Sequence, residues 1–355
     1  MEIGMRTERS RESSKWLNSQ ILVGFTDARK PWWYQAELQG DEPTIYSGAV
    51  PLEDVTRRIF DWEAVRCPVK VDLPDRPNIL VPDKYAIVNS KTEHIFKFAS
   101  KNYVIHQYQE WLVTNVANLL DNGNLQIGSA GLLRNGAGAF VSVETPENVS
   151  TRCGMQIKPK LLAASSHDSK LASTYKFVST IVVCDNTLNM ALAEKDSNAY
   201  RRRHTLNSLD RLEDVRASLN ILIAGPEGMI DLIDSLSEIK VSDAQWEEIV
   251  ERLVPVPDSS RPQVVARLEN KRFELDNLWR GDPRCAPWHG SGLGVFQAFN
   301  THRNYFAGQD SSRFDRNMSK TLSNASLSQD LKILKTLQAV ARTSKGLVKP
   351  NFTSS

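Results

Sequence analysis

The feature that most constrains this 355-residue chain is a change of hydrophobic period near residue 200. Before it, apolar residues come in short runs broken by prolines, Asn-Gly or polar loops. These runs are Pro68–Val71, Asn78–Val81, Tyr85–Val88, His94–Phe98, Leu125–Leu133, Ala139–Glu144, Met155–Ala164 and Thr174–Val183. Such runs read as the strands of an antiparallel meander, not as wound α/β units. Beyond it, apolar residues recur at helical spacing. One stripe is Leu206, Leu209, Leu212, Val215, Leu219 and Leu222; another is Val264, Leu268, Leu275 and Leu278; Gly290–Phe306 and Leu327–Ala341 carry two more. Ser242 and Gln245 form a capping box ahead of Trp246, Ile249 and Leu253. The fold class is therefore α+β: an antiparallel sheet with packed helices over residues 1–204, a mainly helical region over 205–343, and a mobile tail over 344–355.

Finer signals fill in the N-terminal half. Gln35-Ala36-Glu37-Leu38 alternates as a half-buried strand does, and Pro51 opens a short helix whose apolar stripe is Val55, Ile59, Phe60 and Trp62. Tyr108, Leu112, Val116 and Leu119 mark a second helix, stopped by Asn122-Gly123. Arg134-Asn135-Gly136-Ala137-Gly138 between two strand-like runs is a hairpin turn; its glycine spacing fits no phosphate loop.

No apolar run is long enough to span a bilayer and the start has no signal-peptide character, so a cytoplasmic protein without membrane association is expected. The four cysteines, Cys67, Cys153, Cys184 and Cys285, are widely separated, which predicts buried thiols and neither a zinc site nor a disulfide framework. No metal or cofactor is expected.

The net charge of +2 hides an uneven distribution. Acidic residues outnumber basic ones 11 to 4 over 205–255, while basic residues lead 9 to 4 over 151–204 and 15 to 7 over 261–355. Arg201-Arg202-Arg203-His204 is the densest basic cluster, and Lys271, Arg272, Arg280, Arg284, Arg303, Arg313, Arg316 and Lys320 make up much of the C-terminal block. Basic blocks suit a polyanion. The other conspicuous segment is the loop Ser165–Lys170, which brings His167 and Asp168 together, followed by a strand delivering Cys184, Asp185 and Asn186 to an expected helix start. A His beside an Asp can serve as a general base, which makes a hydrolase or nuclease centred on His167 and Asp168 one reading. An Asx turn and a helix N-cap are the structural alternatives.

Several separated motifs carry a resemblance. Trp33–Glu37, Gly48–Glu63, the His167-Asp168 loop, Val182–Leu188, Trp288-His289-Gly290 and Phe296–Asn300 resemble a phage/plasmid-like protein family of unknown function found in actinobacterial phages, prophages and plasmids. Where that family's pattern has glycine after the His-Asp pair this chain has Ser169, which argues against a left-handed turn there. His289 likewise interrupts the family's Trp-Gly pair. The resemblance implies a mobile-element setting, in which single-strand annealing proteins of the Rad52-like and Red-beta-like kinds combine small antiparallel sheets with helices. By that analogy the chain is expected to bind single-stranded DNA as a homo-oligomer and to promote annealing in recombination or replication, without turnover chemistry. Arg134, Lys158, Lys160, Lys170, Lys176, Arg201, Arg202 and Arg203 are the residues expected to hold phosphates. A non-enzymatic interaction protein using the aromatics of the helical half is the remaining reading.

Overall fold

Antiparallel strands occupy the first half of the computed structural model and helices the second, as an α+β fold requires. The structure describes residues 14–24, 31, 33–74, 76–121, 124–181, 187–188, 199–202, 226–258, 261–308, 312–323 and 327–344. The chain divides into two units, one made of residues 1–148, 158–178 and 193–225, the other of 149–157, 179–192 and 226–355.

In the first unit, helix α1 (14–20) leads into strand β1 (Ile21–Val23), and helix α2 (Leu52–Ile59) buries Val55 and Ile59. Strands β2 (Ala64–Leu73), β3 (Arg76–Asn89) and β4 (Ile95–Ser100) form a three-stranded antiparallel sheet with β3 in the middle. A π-turn over Gln109–Thr114 runs into α3 (Asn115–Asp121) and buries Trp111, Leu112, Val116 and Leu119. The larger sheet places β1, β5 (Gln126–Leu133), β6 (Gly138–Glu144), β8 (Gln156–Ser166) and β9 (Ser173–Ile181) side by side, with β11 (Ala199–Arg202) also paired to β9. Every residue of β6 is buried; the strand lies between β5 and β8 and has the π-turn packed on it.

The second unit is mostly helical. Two-residue strands β7 (Val149–Ser150) and β10 (Thr187–Leu188) pair with Gln156–Ile157 and Ser179–Thr180, the ends of β8 and β9 that belong to this same unit. They are followed by α4 (226–238), α5 (Asp243–Leu253), α6 (Pro262–Gly281), α7 (Gly292–Thr301), α8 (Arg313–Ser323) and α9 (Leu327–Ser344). Ser242 accepts from the Gln245 N–H while the Gln245 side chain accepts from the Ser242 N–H, so the capping box forms as its spacing predicts. Trp246 and Trp279 stack at 4.8 Å with planes 8° apart, anchoring α5 to α6. All of α7 is buried, and it continues into a π-turn at His302–Phe306.

Three local expectations are corrected. Residues 35–38 are not a strand: Ala36–Leu38 is a 3-10 turn whose backbone groups are satisfied by the short-range bonds Leu38 N–H to Gln35 O and Gln39 N–H to Ala36 O. The two strands expected at 78–81 and 85–88 are one strand. Pro82 is accommodated by a bulge in which pairing jumps from Pro68 opposite Tyr85 to Lys70 opposite Leu80, with Asp83 at φ 57°. Thr187 and Leu188 form a strand rather than opening a helix. Cys184, Asp185 and Asn186, the helix stripe over 206–222 and the tail beyond Ser344 lie outside the described residues.

Candidate functional site

The His167-Asp168 loop joins β8 to β9 in the first unit. The His167 N–H donates to the Ala137 carbonyl at 2.7 Å, which seats the loop on the β5–β6 turn. The imidazole is fully buried, stacked on Tyr108 at 4.1 Å and flanked by Phe96 and Trp62. The Tyr108 hydroxyl donates toward the Gly136 and Ala137 carbonyls, and burial pushes its pKa well above the ordinary range. Asp168 takes the Arg134 guanidinium through Nε at 2.8 Å and Nη2 at 3.1 Å, and its Oδ1 accepts from the Lys170 N–H at 3.0 Å in an Asx turn. Burial raises the Asp168 pKa, but the Arg134, Lys170 and Ser166 hydrogen bonds outweigh it and hold the carboxyl below its ordinary value. A carboxylate in a bidentate ion pair beside an imidazole closed off from solvent is not placed to exchange protons with a substrate. This loop is a joint between two strand connections.

The joint also retains a backbone turn that the residue type argues against. Ser169 sits at φ 61°, in the left-handed region, despite having a Cβ. Its hydroxyl accepts from Lys97 Nζ at 2.5 Å, and the surrounding bonds to Asp168 and Ser166 hold the loop in shape. Gly290 is likewise left-handed at φ 76°, so the Trp288-His289-Gly290 turn survives the His insertion.

The residues expected to hold phosphates are spread over the first unit and differ in what they touch. Arg134 is held by Asp168; Lys160 pairs with the buried Glu144 at 2.9 Å; Lys158 donates to the Pro146 carbonyl. Lys176 is buried on β9 opposite Ala199. Lys170 is exposed and 3.9 Å from Asp168, and Arg201 is exposed on β11. Arg202 lies on β11 opposite Ser173, and Arg203 is outside the described residues.

A denser cationic site lies in the second unit, where residue-by-residue reading did not place one. A cleft of about 920 Å³ opens between α6, the π-turn after α7, α8 and α9. Arg267, Lys271 and Glu274 fall on one face of α6 at helical spacing; Arg303 comes from the π-turn, Lys320 from α8 and Lys332 from α9. Five cations thus line the cleft with one carboxylate, Glu274. Arg303 is neutralised from behind by the buried Asp330 at 2.6 Å. Among the described residues, Arg267, Lys271, Lys320 and Lys332 have no carboxylate partner within ion-pair distance.

The electrostatics of the cleft follow from that crowding. Burial lowers the Lys271 pKa, and Lys332 and Arg267 lower it further; burial, Arg316 and Arg303 do the same to Lys320. His302 donates through Nε2–H to the Glu274 carboxylate at 2.9 Å, yet burial and the nearby Lys271 keep its pKa below the ordinary value of 6.5. Phe306 lies in the mouth, 40% exposed and stacked against His302 at 6.2 Å, while Phe299 and Ile333 supply apolar wall. Cations without carboxylate partners beside an apolar floor are chemically suited to an anion that also has a flat apolar part. The C-terminal basic block, which includes Lys271, Arg303 and Lys320, is the trace of the cleft in the sequence; bringing α6 together with α8 and α9 takes the tertiary structure.

Among the described residues, no helix is long and apolar enough to cross a membrane, and no three metal-capable side chains gather at one point. No curated protein and no solved structure matches the chain. The description "Domain of unknown function (DUF932)" matches residues 96–327, a stretch that contains the His167 joint and three walls of the cleft. Because that match spans well over half of its length, the chain belongs to the DUF932 family of domains of unknown function.

Proposed function

We propose that this protein binds single-stranded nucleic acid through the cationic cleft of its second unit. The observation that carries the reading is the cluster of Arg267, Lys271, Lys320 and Lys332, held close together without carboxylate partners among the described residues and facing Phe306. Like charges gathered in a partly dry cleft destabilise one another, so the arrangement is favourable only with an anion between them. Phosphates would take the ammonium and guanidinium groups, and a base would lie on the exposed Phe306 ring. A cleft of about 920 Å³ has room for a nucleotide or two.

The resemblance to phage and plasmid proteins supplies the setting. We read the biological role as strand annealing during recombination or replication of a mobile element, in the host cytoplasm, by a Rad52-like or Red-beta-like oligomer. Antiparallel sheets with helices over them are compatible with that architecture.

The test is fluorescence anisotropy of a labelled single-stranded oligonucleotide over a salt series, with a matched duplex alongside. Four phosphate contacts predict a slope of log K against log salt of roughly −3. Lys271→Glu with Lys332→Glu is expected to abolish binding and flatten the slope. Absence of binding at low salt, or a variant that binds like the parent, would refute the reading.

A further inference from the structure

The β2–β3 hairpin extends beyond the last pairing with β4, which reaches β3 only at Lys84–Val88. The rest of the hairpin is a two-stranded arm over residues 69–74 and 76–82, and four of its apolar side chains stand in solvent. Val71 is 44% exposed, Leu73 37%, Ile79 52% and Leu80 56%. A two-stranded ribbon is marginal in water on its own, and four exposed aliphatic side chains on it are a surface awaiting a cover.

The outer edge of β2 says what covers it. At its base the edge is closed by a side chain: Gln107 Oε1 accepts from the Ala64 N–H and Gln107 Nε2 donates to the Ala64 carbonyl. Further along, no strand pairs with that edge among the described residues, since β2 is the outermost strand of its sheet. The open stretch reads Pro68-Val69-Lys70-Val71-Asp72-Leu73-Pro74. Laid antiparallel against a second copy about an axis at Val71, it is self-complementary. Val71 meets Val71, Val69 meets Leu73, Lys70 meets Asp72, and a proline faces a proline at each end. An isologous contact repeats every pair off the axis, so both Lys70–Asp72 pairs form together. The prolines lack the N–H needed to continue the ladder and limit it to five residues, which closes a dimer instead of opening a fibre.

We propose that β2 of one molecule pairs edge to edge with β2 of a second copy, joining two three-stranded sheets through residues 69–73. This contact lies in the first unit and does not depend on what the cleft of the second unit binds.

Sedimentation velocity across a wide concentration range tests it, using the full chain and three variants. The parent is expected to show a reversible monomer–dimer equilibrium. Lys70→Asp or Asp72→Lys alone puts like charges opposite each other twice and should weaken the dimer roughly tenfold. Lys70→Asp combined with Asp72→Lys restores complementarity and should restore the parent dimer. Far-UV circular dichroism and melting establish that each variant folds. Backbone amide exchange at 69–73 should slow as concentration rises. A parent that stays monomeric, single variants that associate like the parent, or a folded double variant that fails to recover would each overturn the proposal.

Discussion

The Asp168 carboxylate grips the Arg134 guanidinium at 2.8 and 3.1 Å, tying the β8–β9 loop to the β5–β6 turn across 34 residues of chain. Both partners are largely withdrawn from solvent, with side-chain exposures of 21% for Arg134 and 9% for Asp168. Removing one leaves the other underpartnered at a site where water returns only in part. Asp168→Ala is expected to cost about 2 kcal/mol, read as a shift in the urea midpoint at unchanged slope. The pair also sets an acid limit. Because the folded-state pKa of Asp168 lies below its ordinary 3.8, its contribution is complete above 3.8 and is lost as pH falls through the lower folded value. The Asp168→Ala protein should therefore lose less stability than the parent over that acid interval; equal losses would show that the pair is not responsible.

Ser169 occupies a left-handed backbone conformation at φ 61° that glycine adopts without penalty. Ser169→Gly relieves that strain, but it loses the Lys97 contact and gives the unfolded chain more freedom. The balance favours the native state by about 0.5 kcal/mol. A melting temperature below that of the parent would mean that the Lys97–Ser169 bond matters more than the backbone.

The α5 capping box offers a cleaner measure of local sequence chemistry. Ser242→Ala deletes the acceptor for the Gln245 N–H and should destabilise the second unit by about 1 kcal/mol. Ser242→Asp keeps an acceptor at the helix N-terminus and should restore most of it. Chemical denaturation followed by tryptophan fluorescence reads this directly, since Trp246 and Trp279 stack beside that helix start.

How much of this was legible in the sequence depends on the range of the interaction. The capping box, the α2 stripe and the Arg134–Gly138 hairpin are settled by residues a few positions apart, and all three form as their patterns predict. Pro82 breaks a strand in a local reading, yet β3 runs through it because Asp83 takes the left-handed conformation a bulge demands. His167 and Asp168 looked chemical because nothing local reveals that Arg134 and Tyr108 would enclose them. Conversely, the cleft lysines look like ordinary solvated charges along three helices, and only packing brings Lys271 and Lys332 into one field.

His302 should make the second unit acid-sensitive. Burial and Lys271 hold its folded pKa below 6.5, so between that lower value and 6.5 the unfolded chain binds more protons than the folded one. Stability consequently rises with pH through that window and is lost as pH falls through it. His302→Gln removes the titration and should flatten the dependence of melting temperature on pH below 6.5. An unchanged slope would assign the acid sensitivity elsewhere.

Lys271 connects this titration to the anion proposed for the cleft. It is a half-buried cation repelled by Lys332 and Arg267, and it in turn depresses the His302 pKa. Lys271→Met keeps the apolar stem and removes the charge, so the unliganded protein should become more stable by about 1 kcal/mol while binding an oligonucleotide at least tenfold more weakly. With Lys271 gone, the His302 titration followed by NMR should move up toward 6.5. Stability should rise while affinity falls because both follow from one cause, the repulsion of Lys271 by Lys332 and Arg267 that the proposed anion would relieve. A variant that loses stability and affinity together would instead make Lys271 a packing residue, and the cleft would then have no electrostatic claim on a ligand.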